Sequence, residues 1–189
     1  DRAISQIYPA YDERLSKYDK IRIQKNNLLK DYLKTGYINN TLLDVYDEQL
    51  VITGSNIIYL RKKFLKEIEY LASKKHQIIS KTEILKIDYD CSFLKNETEL
   101  DDIVQAFHSS LKDRRTEEMR RGQACIGPHR DDIIFYINNN EATKYASQGQ
   151  QRTIVLALKL SELDIITQKT GDEPILLLDD VLAELDDIR

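Results

Sequence analysis

The chain has 189 residues, 41% of them hydrophobic and 32% charged. That suffices for one or two packed cores and excludes a disordered chain. The formal net charge of −4 gives no bulk attraction for nucleic acid, so any such surface must be a local patch.

No apolar run approaches the roughly 18 residues of a membrane span, and no signal peptide is visible. The two cysteines, Cys91 and Cys125, lack metal or redox spacing and fit buried thiols in a reduced cytoplasmic protein. Ile4, Ile7, Tyr11, Tyr18, Ile21, Leu28 and Tyr32 recur at three-four spacing and predict one apolar stripe on a long helix, broken by Arg14 and Lys25. Pro9 predicts a kink or a fresh helix start, and Gly36 ends the helix. After the loop and cap at Asn39-Asn40-Thr41, a second stripe runs through Leu43, Tyr46, Leu50, Ile57, Leu60, Phe64, Ile68 and Leu71, broken at Thr53 and Glu67. Two such helices joined by a short loop should pack antiparallel, as an arm on a smaller body. The tyrosines of this region fit helix packing or base stacking. Arg61-Lys62-Lys63 with Lys66, and Lys74-Lys75, fit a solvated face or phosphate contacts.

Ile84 to Tyr89 alternates and reads as a strand. Glu97 to Arg121 reads as a helix with Leu100, Ile103, Val104, Phe107 and Leu111 on its apolar side, stopped by Gly122. Its end is dense in both charges, which fits a salt-bridged surface; Arg120 and Arg121 are candidates for DNA backbone contact. Gly127-Pro-His-Arg-Asp-Asp132 is a loop feeding a strand, Ile133 to Ile137. A hairpin turn at Asn138-Asn-Asn140 and a return strand, Glu141 to Tyr145, should follow. His129 and Arg130 have the chemistry for a phosphate or carboxylate partner, or equally for structural hydrogen bonds and an ion pair.

Two stretches carry the chemistry. Tyr145-Ala-Ser-Gln-Gly-Gln-Gln-Arg-Thr153 opens a helix running to about Gln168. Ser147 suits an N-cap, Gln150 stands three residues on as in a capping box, and Gly149 permits close approach of a ligand. Such a helix start binds anions, although an ordinary capped helix looks the same. Within Pro174-Ile-Leu-Leu-Leu-Asp-Asp-Val-Leu-Ala-Glu-Leu-Asp186, the run Ile175 to Leu178 reads as a strand covered on both faces that ends in paired acids, Asp179 and Asp180. Those acids either face solvent or are satisfied by a metal, a water or a proton.

In this order the stretches resemble the ABC-type ATPases of DNA repair. Ala146 to Gln150 looks like their signature motif, Ile175 to Asp180 like a Walker B strand, and Ala183-Glu-Leu-Asp186 like a D-loop. With Gly127 to Asp132, and with Asp1 to Pro9 and Gln24 to Lys30, the pattern resembles the bacterial RecF family nearly end to end. Ala183 stands where that D-loop usually has Ser. No glycine is followed by Lys, so a phosphate-cradling Walker A loop is missing. The chain is expected to be a fragment of a longer protein.

The resemblance implies an α/β (α+β) fold, with residues 1–80 as a helical arm, the second domain of RecF-type proteins, and 81–189 as part of an ATPase lobe. It implies a cytoplasmic protein of DNA repair, recombination, replication and the SOS response. Such a protein is an ATP-dependent homodimer that recognises single-strand gaps or junctions in DNA and acts with RecO and RecR. Ser147, Gln148, Gly149 and Gln150 would contact ATP across the dimer. Asp179 would hold Mg2+, Asp180 would polarise the attacking water, and Asp186 would bridge subunits. The parent resembles a weak DNA-dependent ATPase, and this fragment alone is expected to be inactive. An alternative is an interaction module whose arm docks RecR without nucleotide chemistry.

Overall fold

A computed structural model describes residues 1–171 and 174–175. Its elements are α1 (Arg2–Ile7), α2 (Ala10–Thr35), α3 (Asn40–Ser80), β1 (Leu85–Asp90), α4 (Leu100–Arg121), β2 (Asp132–Ile137), β3 (Asn140–Glu141), α5 (Ala142–Tyr145) and α6 (Gln148–Thr170). The fold is α+β, mostly helical with one three-stranded sheet. No helix among the described residues is long and apolar enough to cross a membrane.

The chain forms two compact units. One, the helical unit, is Tyr8–Lys62 with Cys91–Asp132; the other, the mixed unit, is Asp1–Ile7, Lys63–Asp90 and the chain from Ile133 on. The sequence suggested a division near residue 80. The units part instead inside α3, and α4 joins the helical unit, because Ile103, Phe107 and Leu111 bury one face of α4 and α2 is its packing partner.

In the helical unit, Pro9 occupies the N-cap position of α2. It is therefore a helix start, where the missing N–H costs nothing. Gly36, at φ 70°, ends α2 in the left-handed conformation that glycine adopts freely. Asn39 caps α3 by accepting the Leu42 N–H at 3.0 Å. Arg61 Nε donates to Tyr11 Oη (3.2 Å), Arg14 reaches Asn56 (3.5 Å) and Lys25 meets Asp47 (2.6 Å). As α2 advances its partners recede along α3, which is the antiparallel hairpin that the stripes suggested. Leu43, Leu50 and Ile57 are buried at seven-residue intervals. Gly54 admits the aromatic rings: a Cβ there would stand 2.7 Å from a ring carbon of Phe107 and 3.0 Å from one of Tyr18.

The break in the α2 stripe at Lys25 is not an exposed gap. Lys25 is 0% exposed. Its ammonium lies 2.6 Å from Asp47 of α3 and 2.5 Å from Glu118 of α4, and Arg115 pairs with Asp47 at 3.3 Å. An ion this deep is tolerated only when it is paired and hydrogen-bonded. Burial pushes the Glu118 carboxyl above its usual value, while Lys25 and the Cys125 N–H pull it back.

The mixed unit is built on β1-β2-β3. β2 and β3 are antiparallel in the register Tyr136↔Glu141 and Ile137↔Asn140. Asn138 and Asn139 both have positive φ (50° and 67°), the mirror-type turn that matches strand twist. Asn138 N–H donates to Ile84 O at 3.0 Å and Ile84 N–H to Asn138 Oδ1 at 2.9 Å. The start of β1 thus lies beside the end of β2, antiparallel. On β1, Leu85 and Ile87 are buried while Lys86 and Asp88 are exposed. α3 side chains satisfy β1 groups: Ser73 Oγ donates to Leu85 O (2.5 Å), and Glu69 Oε1 accepts from Ile87 N–H (3.1 Å). α1 packs on α6.

Two expectations shift. The return strand beyond Asn140 is two residues long, and Ala142–Tyr145 is a single helical turn. Glu141 stands at its N-cap position, and its carboxylate takes the Lys144 ammonium at 2.6 Å. α4 begins at Leu100, because Glu97 folds back to accept the Lys95 N–H at 2.5 Å. Of the run expected as a covered strand, Ile175 alone is described, and it is exposed. Residues 176–189, with Asp179, Asp180, Ala183 and Asp186, lie outside the described residues.

Replacing Lys25 by Met should destabilise the helical unit by about 3–5 kcal/mol, because Glu118 would be left buried without its cation and Asp47 with Arg115 alone. Adding Glu118→Gln should recover part of that loss. Urea unfolding checks both. Gly54→Val should cost about 1–3 kcal/mol by overpacking, read the same way.

Candidate functional site

α6 starts at an N-cap with both halves of a capping box in place. Ser147 Oγ accepts the Gln150 N–H at 3.2 Å, and Gln150 Oε1 accepts the Ser147 N–H at 2.8 Å. The Gln151 N–H is taken by Ser147 O at 2.9 Å. A helix start leaves four N–H groups over. Two are thus used, and those of Gln148 and Gly149 have no acceptor among the described residues. The Ser147 hydroxyl is exposed. Its oxygen is engaged by Gln150, so its proton is left to donate outward. Three donors therefore converge at the positive end of a 23-residue helix, an arrangement suited to an anion. A cavity of about 110 Å³ opens beside it, lined by Ile137, Asn138, Asn140, Tyr145, Ala146 and Gln150.

Behind this start, Gln150 Nε2 donates to Glu83 Oε1 at 2.9 Å. Glu83 Oε2 lies 3.7 Å from Nε2 of His76, which is fully buried on α3.

His129, Arg130, Arg120 and Arg121 belong to the helical unit. Tyr18 Oη lies 2.7 Å from His129 Nδ1, and His129 Nε2 lies 3.4 Å from Ala124 O. A carbonyl can only accept, so Nε2 carries the hydrogen and Nδ1 accepts from Tyr18. Burial lowers the His129 pKa from 6.5 to about 4. The ring is neutral at physiological pH and hydrogen-bonded at both nitrogens; of its two open roles, the structure shows the structural one. Gly127 makes the loop possible: its φ is 122°, and a Cβ would strike the Tyr18 hydroxyl. Arg130 is exposed, with a 3.5 Å contact to Ala124 O. Arg121 pairs with Glu117 at 2.6 Å, and Arg120 is exposed.

The basic run on α3 divides by use. Arg61 donates to Pro128 O at 2.5 Å and Lys62 to Glu97 O at 2.5 Å. Lys75 pairs with Asp164 at 2.7 Å, and Lys74 lies 4.0 Å over the Tyr70 ring. Tyr11 and Tyr18 are buried packing residues, whereas Tyr37 and Tyr70 are exposed. Cys91 is buried, and burial pushes its thiol up to about 12. It stays protonated and inert.

Sequence reasoning took Lys25 as a break in a stripe and His76 as a helical residue outside any motif, and it passed over Glu118 and Glu83. For Lys25 a signal was present: a lysine inside an apolar stripe needs an acid from another helix. For Glu83 there was none, because its partner is 67 residues away.

The architecture is an antiparallel helix hairpin set between segments of an α+β unit, whose last described helix opens on Ser-Gln-Gly-Gln. The same architecture occurs in solved structures of RecF, a recombination mediator. One, described as RecF-ATPrS in the RecFOR pathway, matches with a TM-score of 0.91 at 38% identity over 99% of this chain and 50% of its own. A second, of RecF-ATP, gives 0.89 at 38% over 98% and 49%. No family model matches the chain. DNA replication and repair protein RecF of Geobacillus kaustophilus is 43% identical over 100% of this chain and 51% of its own length. Those of a Cyanothece species and Bacillus subtilis are 41% and 40% identical, over 98% and 100% of this chain and 50% and 52% of their own lengths. The chain belongs to the RecF family, and it spans about half the length of the curated relatives it matches.

His129 makes stability depend on pH with a definite sign. Its folded pKa is depressed, so the unfolded chain takes up the proton first. Stability should be lost as pH falls from 6.5 to about 4. Urea midpoints across that window should fall less in His129→Asn, which keeps an acceptor for Tyr18 and cannot be protonated.

Proposed function

We propose that this chain is the signature-bearing part of a RecF-like recombination mediator, a cytoplasmic, ATP-dependent DNA-binding protein. Its proposed task is to recognise single-strand gaps or single/double-strand junctions and, with RecO and RecR, to help load the recombinase. The observation that carries the reading is the start of α6, where the Ser147 hydroxyl and the N–H groups of Gln148 and Gly149 are aimed outward by the Ser147–Gln150 capping box. Three donors at a helix N-terminus match the oxygens of a terminal phosphate. In this reading ATP held by one subunit meets α6 of the other, so the nucleotide closes a homodimer on DNA.

The remaining roles fall to residues outside the described set. Asp179 would hold Mg2+ through water, and the ion when bound would offset phosphate charge. Asp180 would orient and polarise the attacking water, and Asp186 would bridge the subunits. Arg120, Arg121 and Arg130 are exposed cations suited to DNA phosphates. His129, neutral and bonded on both sides, would instead shape their loop.

A second reading has its own support. Leu33, Tyr37, Leu42 and Val45, around the α2–α3 turn, are 53%, 75%, 37% and 44% exposed. Exposed apolar side chains so grouped suit a protein partner, and RecR docking on the hairpin is the form this takes.

The isolated chain, which has no Gly-x-x-x-x-Gly-Lys sequence, should show no ATP turnover above background. In the complete protein, Ser147→Arg should abolish ATP-dependent self-association, measured by light scattering. Ordinary turnover by the chain alone, or unchanged association in the variant, contradicts the first reading. Capture of RecR that survives Ser147→Arg and fails with Tyr37→Ser/Leu42→Ser supports the second.

A further inference from the structure

The capping box at Ser147 does not stand alone. Gln150 completes it with its amide oxygen and uses the amide nitrogen for something else: Nε2 donates to Glu83 Oε1 at 2.9 Å. An amide can sit either way round, and the two ends are nearly isosteric. What distinguishes them is the chemistry of the neighbours. The Ser147 N–H can only donate, so it selects oxygen. An ionised carboxylate can only accept, so Glu83 selects nitrogen. With Glu83 in place one orientation satisfies both contacts and the other violates both.

Glu83 is itself held. It is 9% exposed, and its second oxygen lies 3.7 Å from Nε2 of His76 on α3. It also follows a tight helix end: Lys81 is left-handed at φ 62°, with its N–H on Gln77 O at 2.8 Å, and Thr82 N–H donates to Ser80 O at 2.7 Å. The carboxylate thus lies beside the end of α3 and meets Gln150 of α6.

We propose that Glu83 is a positioning residue for the α6 donor cluster. By fixing the Gln150 amide it locks Ser147 in its capping geometry, so that the hydroxyl and the Gln148 and Gly149 N–H groups are aimed before any anion arrives. The inference rests on the reading of α6 as a phosphate-contacting start, but its local part stands without it. Preorganised donors are the ones that stabilise charge without first reorganising. Glu83 touches no phosphate in this scheme; it acts through Gln150 alone.

The test uses the intact protein with Glu83→Leu, Glu83→Gln, Gln150→Leu and the Glu83→Leu/Gln150→Leu double variant. Two quantities are read: amide hydrogen exchange at Ser147, with buried α6 amides as the folding control, and the ATP concentration for half-maximal self-association. Glu83→Leu should speed Ser147 exchange roughly tenfold, the equivalent of one charge-assisted hydrogen bond, with the buried α6 amides unchanged. It should raise the half-maximal ATP concentration by a similar factor. Glu83→Gln keeps an acceptor oxygen and should restore most of both. The double variant should be no worse than Gln150→Leu.

Unchanged Ser147 exchange in Glu83→Leu, or additive effects in the double variant, would overturn the proposal. If wild-type protein ignores ATP while Ser147 exchange still responds to Glu83, the phosphate reading fails and the positioning role stands.

Discussion

Lys25 has no contact with water, and three helices meet at its ammonium. Asp47 reaches it from α3 and Glu118 from α4, so the helical unit must bring both carboxylates to one point. A desolvated charge that loses its partners is strongly penalised. Arg115 and the Cys125 N–H answer the carboxylate oxygens that Lys25 leaves over. In the mixed unit, Gln150 donates to Glu83, whose second oxygen lies 3.7 Å from His76 of α3, and this contact ties the end of α3 to the start of α6.

That second arrangement links packing to chemistry. The groups that would meet an anion, Ser147 and the two N–H groups after it, are held by an amide whose orientation a buried carboxylate dictates. Exposed donors on a fraying helix end would be available but not aimed. Here the capping box removes the fraying, and Glu83 removes the remaining ambiguity. Kinship with RecF over the whole chain gives this helix start its place in a family of DNA repair proteins. The proposal of a phosphate partner then follows from which donors remain unused.

Much of this was legible in the sequence, wherever the signal was local. Pro9, Gly36, Gly122 and Gly171 mark helix ends through backbone geometry that neighbours hardly alter. Ser147 and Gln150 satisfy one another within a single turn, so their spacing sufficed. Asn138-Asn139 marked the hairpin for the same reason. What was not legible depends on partners far along the chain. Lys25 read as a break in a stripe because periodicity cannot show that Asp47 and Glu118 wait on other helices. The compact units place α4 with α2 rather than with the sheet; an apolar face says that it packs but not against what. Ala142–Tyr145 read as strand since four residues carry little periodicity.

The central claim is that the start of α6 meets the terminal phosphate of ATP bound by a partner subunit. The most direct measurement is photolabelling of the complete protein with an ATP analogue carrying its reactive group on the γ-phosphate, followed by mapping of the labelled peptide. The account predicts labelling within residues 147–150 that vanishes under conditions that keep the protein monomeric. Labelling that spares this segment, or that persists in the monomer, would contradict it.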